Sequence, residues 1–308
     1  MRVVVTGGAG FIGANLCREL LTRPEVTEVV ALDDLSTGFV SNLDGTGAKL
    51  VEGSILDRDL LADCVAGAAS VVHLAARPSV PRSLLDPVAS HEVNATGTLY
   101  VLEAARAHGA HAVVASSSSV YGNTEVLPKH EDLPTRPLSP YGVSKLATEA
   151  YALAHQASFA LPTLAFRFFN VYGPLQAAGH AYAAVVPAFI DAALRGEPVT
   201  VHGDGLQTRD FTYVGTVTRV LAGAVVRRVT APTPVNLAFG TRSSLLDLLA
   251  LLEQVLGQPV ERQHVETRTG DVRDSQAASA RLEALFPDVS AVPLERGLLD
   301  TVEWFRSF

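Results

Sequence analysis

The sequence has few cysteines, no excess of positive charge and no long apolar run, and each absence excludes a class of protein. Its two cysteines, Cys17 and Cys64, fall in helix-like segments and form neither a disulfide framework nor a metal-ligand set, and its nine histidines are scattered. A net charge of −8 without a basic stripe argues against nucleic acid as a partner. No apolar run reaches the roughly 18 residues of a membrane span, and no signal-peptide pattern opens the sequence, so we expect a cytoplasmic protein.

The chain does contain enough apolar material for a large core. Of its 308 residues, 48% are hydrophobic, which suits one large domain or two unequal ones. Strand-like runs alternate with helix-like stretches, and this alternation predicts a parallel sheet covered by helices on both faces. The predicted strands are 3–6, 29–32, 49–52, 71–74, 112–116 and 164–168, and the predicted helices are 14–21, 59–64, 88–107 and 143–156.

A glycine-rich turn joins the first predicted strand to the first predicted helix. It reads Thr6-Gly7-Gly8-Ala9-Gly10-Phe11-Ile12-Gly13. Gly7 can supply the tight turn, Gly10 lets the backbone approach a pyrophosphate, and Gly13 lets the helix pack closely on the strand. Because the amino end of a helix also offers N–H groups to an anion, this segment predicts a dinucleotide phosphate site.

An acidic residue, Asp33, closes the second predicted strand, about 20 positions after the glycines. Its carboxylate can accept hydrogen bonds from both hydroxyls of an adenosine ribose and would repel a 2′-phosphate. No arginine or lysine lies between Asp34 and Ala48 to neutralise such a phosphate. The sequence therefore predicts NAD rather than NADP as the cofactor.

The pattern changes after about residue 170, where prolines and glycines divide the chain into shorter pieces. We therefore expect a Rossmann-type, doubly wound α/β sheet that binds NAD in residues 1–169. Residues 170–308 are expected to form a second, smaller, mixed α/β domain that binds the substrate, with a strand at 235–238. Some segments of this second half are expected to return to the first domain.

Three side chains are suited to proton chemistry, two at the start of a predicted helix and one after a predicted strand. Tyr141 and Lys145 are four positions apart at the start of a helix, so they share one face. An ammonium beside a phenol favours the phenolate, and a positively charged nicotinamide acts in the same direction, so Tyr141 could serve as a base. After the fifth predicted strand comes a serine run, in which Ser117 could hold the substrate oxygen.

Together these motifs resemble the extended short-chain dehydrogenase/reductase family and, within it, the nucleotide-sugar 4-epimerases. The resemblance includes the glycine motif, Asp33, Asn94, Ser117, Tyr141 and Lys145, with the segments His73-Leu74-Ala75-Ala76 and Arg167-Phe168-Phe169-Asn170-Val171-Tyr172-Gly173-Pro174. It runs from Met1 to about Leu282. It implies tightly bound NAD and a catalytic triad of Ser117, Tyr141 and Lys145.

The resemblance also implies two sets of binding residues. The set for NAD contains Gly7, Gly10, Phe11, Ile12, Gly13, Asp33, Ser54, Ile55, Leu74, Ala75, Ala76, Asn94, Tyr141 and Lys145. The set for the nucleotide sugar contains Ser117, Ser118, Ser119, Asn170, Val199, Arg209, Arg268, Asp271 and Ser275. Guanidinium groups suit a diphosphate, a carboxylate suits ribose hydroxyls, and the small Ser275 leaves room for an N-acetylhexosamine.

Two departures from the family pattern leave details open. Gly53-Ser54-Ile55 stands where relatives commonly have an acid near the adenine amino group, so either Ser54 or Asp57 is the candidate contact. Gly173-Pro174-Leu175-Gln176 lacks the arginines that often follow this Gly-Pro pair in uronate-handling relatives, and Arg82 is a candidate to reach the sugar.

The leading hypothesis is NAD-dependent 4-epimerisation of a UDP-hexose, of the UDP-glucose/UDP-galactose type, through a transient 4-keto sugar. A UDP-glucuronate 4-epimerase is the closer alternative, since the serine run could bind a C6 carboxylate. A nucleotide-sugar 4,6-dehydratase is less favoured, because Ser118 and Ser119 occupy positions where similar dehydratases have an Asp-Glu pair. The intact triad also counts against a non-enzymatic, NAD-responsive binding protein on the same fold.

The quaternary structure is expected to be a homodimer. Apolar positions along 88–107 and 147–157 fit either an intersubunit helix bundle or ordinary core, and the resemblance favours the bundle.

Overall fold

A computed structural model of the protein describes residues 1–179, 183–267 and 272–307. The strands are β1 (Arg2–Thr6), β2 (Glu28–Asp33), β3 (Lys49–Glu52), β4 (Ser70–His73), β5 (His111–Ser117), β6 (Thr163–Phe168), β7 (Asn170–Tyr172), β8 (Val199–His202), β9 (Thr208–Arg209), β10 (Phe211–Tyr213), β11 (Val235–Leu237), β12 (Ser243–Ser244) and β13 (Arg262–Val265). The α-helices are α1 (Phe11–Leu21), α2 (Arg58–Val65), α3 (Val80–Leu85), α4 (Pro87–His91), α5 (Gly97–His108), α6 (Pro140–Phe159), α7 (Val185–Leu194), α8 (Val214–Arg227), α9 (Leu245–Leu256), α10 (Ala280–Leu285) and α11 (Leu294–Arg306).

Seven of the described strands form a parallel sheet in the spatial order β3-β2-β1-β4-β5-β6-β11. Alternate side chains of β1 enter different cores, because successive residues of a strand point to opposite faces. Val3 and Val5 pack with residues of α1, α8 and α10, whereas Val4 packs with residues of α2, α5 and α6. This is the doubly wound arrangement of the Rossmann type, and it confirms the predicted fold.

The predicted helix at 88–107 is interrupted, which corrects the sequence-based expectation. Between α4 and α5 the chain makes one wider, π-helical turn over Glu92–Thr96. Periodicity alone could not reveal this turn, because the apolar pattern continues through it. The turn carries Asn94, whose buried side chain reaches across to the segment after β4.

A third core defines a smaller lobe. Its buried residues come mainly from α7, α9 and α11 and from β8 and β10. By contrast α8, β11 and α10 pack with the sheet, so the chain crosses between lobes several times after residue 169. We propose that the predicted division at residue 170 is the first of these crossings rather than one boundary between continuous domains.

Among the described ranges, no helix combines the length and the apolarity needed to cross a membrane.

Candidate active site

The turn after β1 leaves no room for side chains where it meets the segment after β4. Gly7 has φ +70°, and a Cβ added there would lie 2.7 Å from the amide nitrogen of Ala75. A Cβ on Gly13 would collide with the carbonyl oxygen of Gly7. The helix α1 begins directly after Gly10, so the N–H groups of its first turn, with Phe11 and Ile12, face the same space. This geometry suits the phosphates of a dinucleotide, at the point where the strand order reverses.

Asp33 lies beside this turn and is only 7% exposed. Its Oδ2 accepts a hydrogen bond from the amide of Ala9 at 2.9 Å, and its Oδ1 accepts one from the amide of Leu35 at 2.9 Å. Burial raises the pKa of Asp33, and those backbone hydrogen bonds act against the rise. A carboxylate has about four acceptor positions, so Asp33 keeps capacity for two ribose hydroxyls. The glycine turn and Asp33 therefore fit the adenosine half of NAD.

The predicted adenine contacts differ in what they can offer. The Ser54 hydroxyl accepts from the amide of Leu56 at 3.2 Å. Asp57 caps α2 by accepting from the amide of Leu60 at 3.1 Å, so part of its carboxylate is already committed. Ile55 is 5% exposed and its side chain packs in the core under α5, so only its main chain is available to a cofactor.

A directional chain of hydrogen bonds fixes the segments after β1 and β4 to the helices behind them. The amide of Ala75 donates to the Thr6 hydroxyl at 3.3 Å, and that hydroxyl lies 2.7 Å from Nδ1 of His73. On the other side of the ring, Nε2 lies 3.0 Å from the Thr98 hydroxyl, which donates to the main-chain oxygen of Asn94 at 2.5 Å. Since Thr98 already donates elsewhere, we assign the His73 proton to Nε2. Burial and the charge of Lys145 lower the pKa of His73 to about 3, so the ring is neutral.

Asn94 holds the segment after β4 from the opposite direction. Its Oδ1 accepts from the amide of Arg77 at 2.7 Å, and its Nδ2 donates to the hydroxyl of Ser144 at 2.9 Å. The segment that carries Leu74, Ala75 and Ala76 is therefore braced against α6. Sequence reasoning placed Asn94 in the cofactor set but did not foresee this bracing function.

The predicted triad meets at the end of β5. The hydroxyl of Ser139 caps α6 by accepting from the amide of Gly142 at 3.1 Å, so Tyr141 and Lys145 lie in the first turns of that helix. Ser117 ends β5, and its hydroxyl accepts from Ser119, from the amide at 3.2 Å and the hydroxyl at 2.8 Å. Ser118 lies in the same short 3₁₀ turn, Ser118–Tyr121.

Burial affects both titratable members of the triad. It lowers the pKa of Lys145 to about 8, and the Lys145 ammonium donates to the main-chain oxygen of Ala115 at 2.8 Å. Burial raises the pKa of Tyr141, and the hydrogen bond with Ser117 opposes that rise. In the protein by itself burial is thus the largest effect on the pKa of Tyr141, and the prediction that Lys145 favours the phenolate stays a prediction.

A buried ion pair is connected to the triad through the hydroxyl of Ser116. The guanidinium of Arg167 binds both carboxylate oxygens of Glu149, at 2.9 Å from Nε and 2.7 Å from Nη2, and both side chains are under 5% exposed. Glu149 also accepts from the hydroxyl of Ser116 at 2.8 Å, and that hydroxyl lies 3.1 Å from the main-chain oxygen of Lys145. Sequence reasoning missed Glu149 and Ser116. The available signal was the spacing of Glu149, one further helical turn after Lys145.

The predicted sugar-binding residues of the smaller lobe come partly together. Arg209 ends β9 and donates to the main-chain oxygen of Arg273 at 3.1 Å. The amide of Ser275 donates to the main-chain oxygen of Thr208 at 3.1 Å. Asn170 begins β7, and its Nδ2 lies 3.4 Å from the main-chain oxygen of Asp210. Val199 is fully buried in the smaller lobe, so only its main chain is open to a ligand, and its predicted contact stays a prediction. Arg268 and Asp271 lie outside the described residues.

A dinucleotide site next to a Ser-Tyr-Lys group, at the edge of a doubly wound sheet, defines a nucleotide-dependent enzyme of the short-chain dehydrogenase/reductase type. Residues 3–238 match the model of the NAD dependent epimerase/dehydratase family, and the chain belongs to that family. The predicted family and the predicted cofactor, NAD, are thereby confirmed.

Three similar proteins differ in the sugar that their names record. The UDP-glucose 4-epimerase of Mycolicibacterium smegmatis is 37% identical, over 100% of this chain and 99% of its own. The UDP-N-acetylglucosamine 4-epimerase of Methanobrevibacter ruminantium has a TM-score of 0.94 and 32% identity, over 99% of this chain and 98% of its own. The UDP-glucuronic acid 4-epimerase of Bacillus cereus, solved with UDP-glucuronic acid and NAD, has a TM-score of 0.88 and 29% identity, over 100% and 99%.

Proposed function

We propose that this protein is a nucleotide-sugar 4-epimerase, an isomerase, whose substrate is a UDP-hexose of the UDP-glucose/UDP-galactose type. The observation that carries the proposal is the hydrogen bond between Tyr141 and Ser117 at the end of β5, where Lys145 also donates to the main-chain oxygen of Ala115. The relatives named for 4-epimerisation span the full length of this chain, which supports the same reaction type here.

Ser117 and Tyr141 have different functions at the sugar 4-hydroxyl. NAD, when bound, supplies a reversible acceptor for the C4 hydride and a positive charge near the phenol. Ser117 holds the 4-oxygen by its hydroxyl, and Tyr141 Oη takes the proton from that oxygen and returns it later in the same turnover. Because the hydride would return to C4 on the opposite face within the same turnover, and Tyr141 ends in its starting protonation state, the reaction has no net redox change. In the smaller lobe, Arg209 holds the diphosphate.

A UDP-glucuronate 4-epimerase is the second candidate, and the serine cluster favours it. The hydroxyls of Ser117 and Ser119 are 2.8 Å apart, and further hydroxyl donors beside the sugar would suit a C6 carboxylate. A dehydratase needs an acid/base pair to eliminate water, and hydroxyls at Ser118 and Ser119 cannot readily do that.

The deciding experiment incubates the purified holoenzyme separately with UDP-glucose, UDP-N-acetylglucosamine and UDP-glucuronate, and resolves the epimers by chromatography. We expect UDP-glucose to be converted without release of NADH. Conversion of UDP-glucuronate alone would replace the substrate, and conversion of none would overturn the proposal. Tyr141→Phe is expected to abolish conversion while nucleotide-sugar binding stays within about twofold, and an active variant would exclude Tyr141 as the base.

We also propose that the protein is a homodimer. Large apolar side chains on α3, α4 and α6 are exposed, with Leu85 at 75%, Val88 at 65%, Leu84 at 63%, Val143 at 52% and Tyr151 at 39%. A second copy that covers this face would remove those side chains from water. Light scattering at micromolar concentration is expected to give the dimer mass, and Val88→Asp to shift it toward the monomer. A wild-type monomer would refute the proposal.

A further inference from the structure

The chain contains only three lysines, Lys49, Lys129 and Lys145, and they occupy different environments. Lys49 is exposed and pairs with Glu28 at 2.8 Å, and Lys145 belongs to the triad. Lys129 is 2% exposed and takes no part in the reaction described above. A buried lysine that has no structural partner and lies outside the triad indicates a ligand-binding function, because an uncompensated buried charge is unfavourable.

The main chain of Lys129 determines the direction of its side chain. Its amide donates to the oxygen of Gln276 at 2.8 Å, and its oxygen accepts from the amide of Ala278 at 2.9 Å, so Lys129 pairs in parallel with Ala277. Paired residues of parallel strands point to the same face of the ladder. Ala277 packs with Val120 and Phe169, which follow the serine run and the end of β6. Thr208, the neighbour of Arg209, pairs with Asp274 in the same segment, so Lys129 and Arg209 flank one stretch of chain.

The charged groups near the Lys129 ammonium are Arg209 and Asp274. Burial lowers the pKa of Lys129, the charge of Arg209 lowers it further, and Asp274 acts in the opposite direction. Asp274 is already held by the hydroxyl of Thr208 at 2.6 Å and by Nη2 of Arg242 at 3.1 Å. Asp274 is therefore shared with two other side chains rather than dedicated to Lys129.

The ammonium itself is available to a ligand. Within residues 1–179, 183–267 and 272–307, no hydrogen bond or ion pair engages its nitrogen. The nitrogen is also not one of the polar atoms of those ranges that are sealed from solvent without a partner, so it keeps some exposure to solvent. Two cations close together in a region of low dielectric attract an anion strongly.

We propose that the ammonium of Lys129 binds an anionic oxygen of the nucleotide sugar, beside Arg209. The inference rests on the proposed function, in that it takes a nucleotide sugar as the ligand. The anionic oxygen has two sources, the diphosphate that every such substrate carries and the C6 carboxylate of a uronate sugar.

The test compares Lys129→Met with Lys49→Met, which removes an exposed lysine and serves as the matched control. Calorimetry measures the Kd of UDP, UDP-glucose and UDP-glucuronate for each holoenzyme. We expect Lys129→Met to weaken all three by about tenfold, the size of one charge-assisted hydrogen bond, and Lys49→Met to leave them unchanged. A loss confined to UDP-glucuronate would support the proposal with the carboxylate as the source.

Unchanged affinities for all three ligands in a folded Lys129→Met variant would overturn the inference while the proposed function stood. A wild-type protein that binds none of the three would overturn both. Should Lys129→Met fail to fold, Lys129→Gln provides the neutral variant, and Lys129→Arg, which keeps the charge, is expected to bind within about threefold of wild type.

Discussion

The larger lobe and the proposed sugar-binding side of the protein differ in how their buried charges are compensated. In the larger lobe Arg167 is matched by Glu149, and burial together with the charge of Lys145 keeps His73 neutral. On the sugar side, Lys129 lies near a second cation, and burial raises the pKa of Asp210 to about 6. Arg167 therefore has its counter-charge within the protein, whereas Lys129 has no ion-pair partner among the described residues, and we propose that a substrate anion supplies it.

The largest expected effect comes from breaking the matched pair. Glu149→Ala leaves the Arg167 guanidinium buried without its carboxylate, so we expect a loss of about 3–5 kcal/mol in the free energy of unfolding. Urea titration measures that loss. Removing an exposed pair by Arg195→Met, whose partner Asp191 lies at 2.7 Å, is expected to cost under about 1 kcal/mol.

The double variant Glu149→Leu/Arg167→Met separates stability from positioning. Well-packed apolar replacements often restore the stability that a single change removes. Because Ser116 then loses its Glu149 partner, we expect kcat of the double variant to be lower than that of the wild type, with KM little changed. A wild-type kcat together with wild-type stability would show that the pair acts on stability alone.

On the sugar side, Arg209→Met is expected to affect binding and leave folding nearly unchanged. The Arg209 side chain is only partly buried and donates to main-chain oxygens, so we expect its loss to cost little stability. We expect the Kd of UDP to rise by about tenfold and the unfolding midpoint to stay close to wild type. A large loss of stability with unchanged UDP affinity would reverse the contrast between the two regions.

The smallest expected effect on the wild type is the net result of two opposite pH dependences, which largely cancel each other. The pKa of His73 is lowered from 6.5 to about 3 on folding, so the unfolded chain binds more protons between these values and stability falls as the pH drops below 6.5. The pKa of Asp210 is raised from 3.8 to about 6, so it contributes the opposite slope over that interval. Unfolding titrations from pH 4 to 7 are expected to show a shallower acid loss in His73→Asn and a steeper one in Asp210→Asn. The same slope in both variants and the wild type would exclude these two groups as the cause.

Much of the cofactor site could be predicted because its signals are local. The glycine spacing, the position of Asp33 and the four-residue interval from Tyr141 to Lys145 each lie within one or two elements, where periodicity determines the geometry. The polar support of the site could not be predicted in that way. Ser116, Glu149 and Arg167 come from β5, α6 and β6, and only the order of strands in the sheet brings them together.

The sequence by itself determined the alternation of strands and helices, the dinucleotide turn and the residue types available for proton transfer, because these depend on neighbours along the chain. The tertiary structure alone decided which of those groups are charged and which are reachable. Burial raises the pKa of Tyr141 and hides the side chains of Val199 and Ile55. Folding also brings Lys129 close enough to Arg209 for the charge of Arg209 to lower the pKa of Lys129. The physical reason is that desolvation and Coulomb interactions depend on distances between segments far apart in the sequence, and folding sets those distances.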